Sequence, residues 1–205
     1  MTLQQTVHNP DAQENDRFGY SVSMAGLDRV VIGAYRDDPG GTTNAGTAYL
    51  IDTNGTLLAT FNNPDPEESD WFGHAVGALD GDRLLIGAGR DDPGGVTNAG
   101  SAYMFDDNGA LLTTFVNPSP NNNDRFGYAV SRVGTNKVLV GAYRDDAGAI
   151  VDAGSAYLFD TSGALLATLT NPAPEMDDWF GFAVSEVRGG KLLIGAFGDN
   201  PGGTN

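Results

Sequence analysis

The residues best equipped for chemistry in this sequence are carboxylates, and they recur in one pattern. Arg36 is followed by Asp37 and Asp38, then by a Pro-Gly-Gly run and Asn44. The pattern returns as Arg90, Asp91, Asp92 and Asn98, and again as Arg144, Asp145, Asp146 and Asp152. Asp199 opens a shorter fourth version. Two adjacent carboxylates, a Gly pair that lets carbonyls turn inward and a third oxygen donor could assemble a site for Ca²⁺, a hard cation. The competing reading is structural. The Asp side chains cap a turn, and Arg36 pairs with a neighbouring unit. The spacing matches no standard calcium loop.

A second set of residues points to ligand binding. Trp71 and Trp179 alternate with Arg17 and Arg125 at one recurring position. Exposed Trp, together with Arg36, Arg90 and Arg144, could stack on and hold a sugar. The plainer alternative is that these side chains cover the gaps between packed units. Catalysis is not expected. His8 and His74 are the only histidines and occupy non-equivalent positions, and Lys137 and Lys191 are the only lysines. No nucleophile elbow, paired-His metal motif or phosphate loop occurs. A pattern repeated fourfold also argues against a catalytic constellation, which is asymmetric.

Composition sets the frame for these residues. The 205 residues suit one domain. With 40% hydrophobic residues the chain is too apolar to be disordered, despite a net charge of −16. No apolar run is long enough to span a membrane as a helix. The first residues, Met-Thr-Leu-Gln-Gln, lack the basic start and apolar core of a signal peptide. The absence of Cys excludes disulfides and thiol chemistry. Only 11 Lys and Arg stand against 27 acids, so the surface should repel nucleic acid. Asp outnumbers Glu by 22 to 5, and with 29 Gly and 10 Pro this favours turns over helices. An all-β chain is expected.

The elements that must position the carboxylates are set by a repeat of 54 residues. Phe18-Gly19 recurs as Phe72-Gly73, Phe126-Gly127 and Phe180-Gly181. Gly33-Ala34 recurs at Gly87, Gly141 and Gly195, and Asn9-Pro10 at Asn63, Asn117 and Asn171, with no break in register. The units run approximately over 16–69, 70–123, 124–177 and 178–205, within a single domain spanning 1–205. Each predicts four strands, in the first unit at 18–23, 29–34, 47–51 and 57–61. Asn54-Gly55 and Asn108-Gly109 predict hairpin turns. The Asn-Pro links carry prolines that keep them out of a sheet. Four short strands per repeat predict a β-propeller of four-stranded antiparallel blades, the last one incomplete. The Phe-Gly and Gly-Ala residues are then packing elements, and Asp16, Asp70, Asp124 and Asp178 should accept backbone N–H bonds.

Phe18-Gly19, Gly33-Ala34 and Gly46-Thr-Ala-Tyr49 together resemble the FG-GAP repeat of integrin α-subunit propellers, and more closely its bacterial branch. The resemblance covers essentially the whole chain. It implies a β-propeller in an extracellular or cell-surface protein with a binding or adhesive role and no catalytic activity. The implied partner is a protein or a glycan, with a carbohydrate-binding lectin and an architectural subunit of a fibre or surface layer as alternatives. Two departures stand out. The hairpin that carries the integrin-type calcium loop is shortened to residues 25–28, 80–82, 134–136 and 188–190, too few oxygen ligands for Ca²⁺. Tyr35, Gly89, Tyr143 and Phe197 replace the final Pro of the motif.

Four full periods would exceed the 205 residues by one strand and its turn. Residues 3–7 match an outer strand and are expected to join the last blade, as propellers close their rings. The matching counterpart of residues 45–55 is missing from that blade, so the chain is expected not to close alone. A homo-oligomer, strand addition from a partner or a longer propeller would satisfy it. The Asn-Pro links should share one face of the ring, and the Asp-Asp loops should share a face with one another.

Overall fold

The computed structural model describes residues 5–80, 82–187 and 189–200. Fourteen strands follow in chain order. β1 (Ser21–Met24), β2 (Arg29–Ala34), β3 (Thr47–Asp52) and β4 (Leu57–Asn62) form the first antiparallel sheet in sequence order. β5 (Phe72–Ala78), β6 (Arg83–Ala88), β7 (Ser101–Asp106) and β8 (Leu111–Val116) form the second. β9 (Phe126–Val133), β10 (Lys137–Ala142), β11 (Ser155–Asp160) and β12 (Leu165–Thr170) form the third. β13 (Phe180–Val187) and β14 (Lys191–Ala196) pair alone as a two-stranded fourth. The fold is an all-β arc of propeller blades.

The repeat motifs explain the blade geometry. His74 N–H donates to Trp71 O at 3.0 Å, which closes a turn with Phe72 and Gly73 at its centre. Gly73 has φ +83° there, the left-handed third position that a type II turn reserves for glycine. The turn starts β5 and shifts its register against β6 between Phe72 and Ala75. Gly33, Gly87 and Gly141 answer a different demand. A Cβ on them would lie 1.9–2.0 Å from the carbonyl oxygen of Gly73, Gly127 and Gly181 in the next blade. Only glycine lets the sheets approach this closely.

Blades pack face to face in chain order. β2 lies against β5, β6 against β9 and β10 against β13, while the inner strands β1, β5, β9 and β13 lie side by side. The core fills these joints. Val31, Leu50, Phe61 and Phe72 share one buried cluster with Leu84, Ile86 and Phe105, and a second cluster joins Leu85 and Phe115 to Phe126, Val138 and Phe159. Arg29 ties the first blade to the second through Asp107 at 2.8 Å.

Two expectations change at the first blade. Its inner strand starts at Ser21, although the other three start at the Phe of Phe-Gly. Among the described residues Phe18 joins no ladder, and a Cβ on Gly19 would meet nothing within 4 Å. The expected strand over residues 3–7 lies partly outside the described residues, and the described part, from Gln5 on, forms no strand. Val7 packs instead against Ile32, Ala34, Tyr49 and Ile51 of the first blade. It stands where Phe61 stands against the second, in the place of an outer strand of a preceding blade.

Candidate ligand-binding face

The Asp-Asp loops follow β2, β6 and β10, and their paired carboxylates diverge. Asp37 turns into the core, where Tyr49 donates its hydroxyl to Oδ2 at 2.6 Å. Asp91 does the same with Tyr103 at 2.6 Å, and Asp145 accepts from Tyr157. Asp38, Asp92 and Asp146 turn the other way and accept the backbone N–H of Asn44, Asn98 and Asp152. Neighbouring Asp residues therefore serve a tyrosine on one side and a loop amide on the other. Asn44, Asn98 and Asp152 sit at φ 51–53°, the positive-φ position that ends each loop. This donor set does not fit a hard cation, and among the described residues no group of three or more His, Cys, Asp or Glu converges on one point. Asp199 carries the same repeat position beyond β14 and is exposed.

A buried polar network sits behind each loop. Asn63 Nδ2 donates to Asp70 at 2.8 Å and to Asp91 at 2.9 Å. Asp70 also accepts the Glu67 N–H at 2.6 Å, which folds the Asn-Pro link onto the blade. Asn117, Asp124, Asp145 and Tyr157 repeat the arrangement in the third blade. Asp16 and Asp178 hold their links in the same way, through Gln13 and Glu175. Burial, helped by the charge of Asp91, pushes the Asp70 carboxyl up to about 7 against the Glu67 N–H bond. Asp124 is raised to about 7 by burial and by Asp145. Ser69 and Asn123 donate backbone N–H groups to Thr43 and Thr97 of the preceding Asp-Asp loop. Links and loops thus lie side by side.

Next to these loops runs a continuous aromatic belt. Tyr20, His74, Tyr128 and Phe182 occupy one repeat position in four successive blades, with ring centres 4.9, 4.4 and 5.1 Å apart. Tyr35 and Tyr143 pack edge-on against His74 and Phe182. Trp71 and Trp179 hold φ 61° and 56°, conformations rare for a bulky side chain and fixed here by the turn into the Phe-Gly. Burial drives the His74 imidazole down to about 4, so it is neutral, and its Nδ1–H donates to Tyr128 O at 3.3 Å.

Arginines cluster on this belt with one long ion pair, Arg144 to Asp152, among them. Arg90 lies 3.5 Å over the Trp71 ring, while Arg36 and Arg144 approach Tyr35 and Tyr143 at 5.5 and 5.7 Å. Nε of Arg90 and Nε of Arg144 are buried and unpaired among the described residues. Burial lowers the Arg125 guanidinium to about 10, with the charge of Arg90 as the second cause. Arg90 is lowered by burial and by the charges of Arg36 and Arg144. Arg144 reaches Asp152 only at 3.9 Å, and among the described residues Arg36, Arg90 and Arg125 form no ion pair. Arg36 thus stacks on its own blade rather than pairing with a neighbour.

The structure therefore brings Arg36, Arg90, Arg144, Trp71 and Trp179 to one face, but the indoles are already stacked. Arg90 covers Trp71, and Phe197 lies 5.7 Å from Trp179 at an interplanar angle of 5°. Sequence reasoning missed the belt itself. The available signal was an aromatic ring at the position of Tyr20 in every repeat. A cavity of about 520 Å³ opens at the opposite end of the inner strands, between Met24, Val76, Leu79 and Val130.

The comparisons agree with this architecture. The sequence matches the FG-GAP repeat over residues 1–51, 56–105 and 116–159. No curated protein matches it. Among solved structures it is similar to a protein of unknown function from Bacteroides caccae, with a TM-score of 0.51 and 13% identity over 90% of this chain and 54% of that one. It is also similar to the Pan2 WD40 domain of Neurospora crassa, with a TM-score of 0.51 and 14% identity over 87% of this chain and 42% of that one. The chain thus spans about half the length of the solved structures it matches.

Proposed function

The chain belongs to the FG-GAP repeat family, and on that premise we propose that it is a non-catalytic binding module, extracellular or at the cell surface, whose ligand is anionic. One observation carries this reading. In a chain of net charge −16, Arg36, Arg90, Arg125 and Arg144 gather on one face, and Nε of Arg90 and Nε of Arg144 have no partner among the described residues, whereas Arg125 donates to Asn98 and Asn123. A desolvated guanidinium with free N–H donors is built to take a carboxylate, phosphate or sulfate in a fork of hydrogen bonds. The aromatic belt supplies a rigid floor that holds those donors in place. Repeated loops on a rigid scaffold are the usual binding surfaces of a propeller.

The ligand is an acidic segment of a protein or an acidic glycan. The glycan form of this reading is favoured over neutral-sugar stacking, because Arg90 and Phe197 already lie against the two indoles. An array carrying acidic peptides, uronate and sulfated glycans, and neutral glycans tests the proposal. Binding to acidic probes that falls with added salt is expected. Selective binding to neutral glycans would overturn it.

A further inference from the structure

The three joints between blades are built from the same atoms, and each end of the arc carries half of a fourth. At each joint a second-strand glycine lies against the carbonyl of the next blade's Phe-Gly glycine, as Gly33 does with Gly73. Gly195, last of the second-strand series, has only Ala183 of its own blade near it, at 3.6 Å, and Gly19, first of the other series, has nothing within 4 Å. The side chains tell the same story. Val31, Leu85 and Leu139 are 0% exposed within the joints, but their counterpart Leu193 is 61% exposed. Val22 is 59% exposed, whereas Val76, Val130 and Val184 are partly covered. The aromatic belt also stops short, with Tyr20 54% and Phe197 70% exposed.

We propose that these two faces are the halves of one joint made between two copies of this chain. The β13–β14 face of one copy receives the β1–β2 face of the other, with Gly19 seated on Gly195, Val22 on Leu193 and Tyr20 against Phe182 and Phe197. Continuity with the three existing joints selects this occupant. A second copy carries the glycine carbonyl, the valine and the aromatic ring already spaced for the site, and a foreign partner would have to reproduce all three. The contact is heterologous, so each copy offers both halves. The proposal does not depend on the arginine face. The two differ in salt dependence, because copies of net charge −16 repel each other and salt strengthens their association.

Sedimentation of the 205-residue chain across low to high micromolar concentration tests the joint. Self-association that tightens with salt is expected. Gly195→Ala places a methyl group in ordinary van der Waals contact with Ala183 in the isolated chain, yet against a backbone carbonyl in the joint. It should leave the melting temperature unchanged and weaken association by about a hundredfold. Val22→Glu should do the same from the opposite face. An equal mixture of the two variants should recover a dimer, since one joint in it is unaltered. Three outcomes would overturn the proposal. One is a chain that stays monomeric at high concentration, which leaves the faces to further repeats of a longer chain. Another is association indifferent to Val22→Glu, which means a same-face dimer. The third is a mixture that fails to recover.

Discussion

The guanidinium carbon of Arg90 lies 3.5 Å from the centre of the Trp71 ring, so the charge at the middle of the arginine cluster is held by an indole rather than by an acid. That arrangement keeps the cation desolvated but free to bind. Arg90→Ala should weaken an acidic probe by about tenfold, the value of roughly one charge-assisted contact. Arg90→Lys should recover only part of this, because an ammonium lacks the planar fork. Titration followed by tryptophan fluorescence reads both, through Trp71.

The raised carboxyls of Asp70 and Asp124 make stability depend on pH. In the folded chain they keep their protons up to about 7, whereas an unfolded Asp releases its proton near ~4. Between those values the folded state binds more protons, so their contribution falls as the pH rises and is largest below pH ~4. His74 acts in the opposite sense, because its folded value of about 4 lies below the unfolded ~6.5. Two carboxyls outweigh one imidazole over this window. Urea midpoints should therefore fall from pH 4.5 to about 7 for these groups, and the double variant Asp70→Asn, Asp124→Asn should show a flatter profile. A steeper profile would assign the protons elsewhere.

The Tyr103 hydroxyl donates to buried Asp91 at 2.6 Å, beside a small cavity of about 120 Å³ that both residues line. Tyr103→Phe leaves a buried carboxylate oxygen without its donor. A loss of about 2 kcal/mol is expected by urea denaturation. The corresponding change at Tyr157 should cost a similar amount, since the same network stands behind it.

Equivalent glycines should differ by position in the arc. Gly87→Ala drives a methyl group to 2.0 Å from the Gly127 carbonyl oxygen, in backbone that has no room to move, and should destabilise the fold by about 3 kcal/mol or more. Gly33→Ala and Gly141→Ala should behave alike. Thermal unfolding of the three variants against Gly195→Ala gives the contrast directly.

The blades were legible because four copies of one unit, without insertion or deletion, separate what recurs from what varies. Phe72-Gly73 recurs, and its turn and joint require it to. The Asp-Asp loops were legible only in part: turn capping holds for Asp38, which accepts the Asn44 N–H, but the tyrosine bond of Asp37 was not foreseen. Asp37 and Tyr49 are twelve residues apart, and only the pairing of β2 with β3 turns that separation into a hydrogen bond. Carboxylates that read as metal ligands in a line are thus divided between core and loop in space. The belt escaped for a related reason. His74 and Tyr128 align in the repeat, but nothing in a linear pattern says that the same position in successive blades will touch.

Each blade packs extensively only against its immediate neighbours. The energetics of such a molecule are those of a zipper, in which every unit is held by its own strands and by two flanking teeth. Among the described residues of a single copy, the two-stranded blade β13–β14 has one flank and fewer ladder hydrogen bonds than the four-stranded blades, so in that copy it opens at the lowest cost. Opening then travels inward one blade at a time, and the middle of the arc is the last to let go.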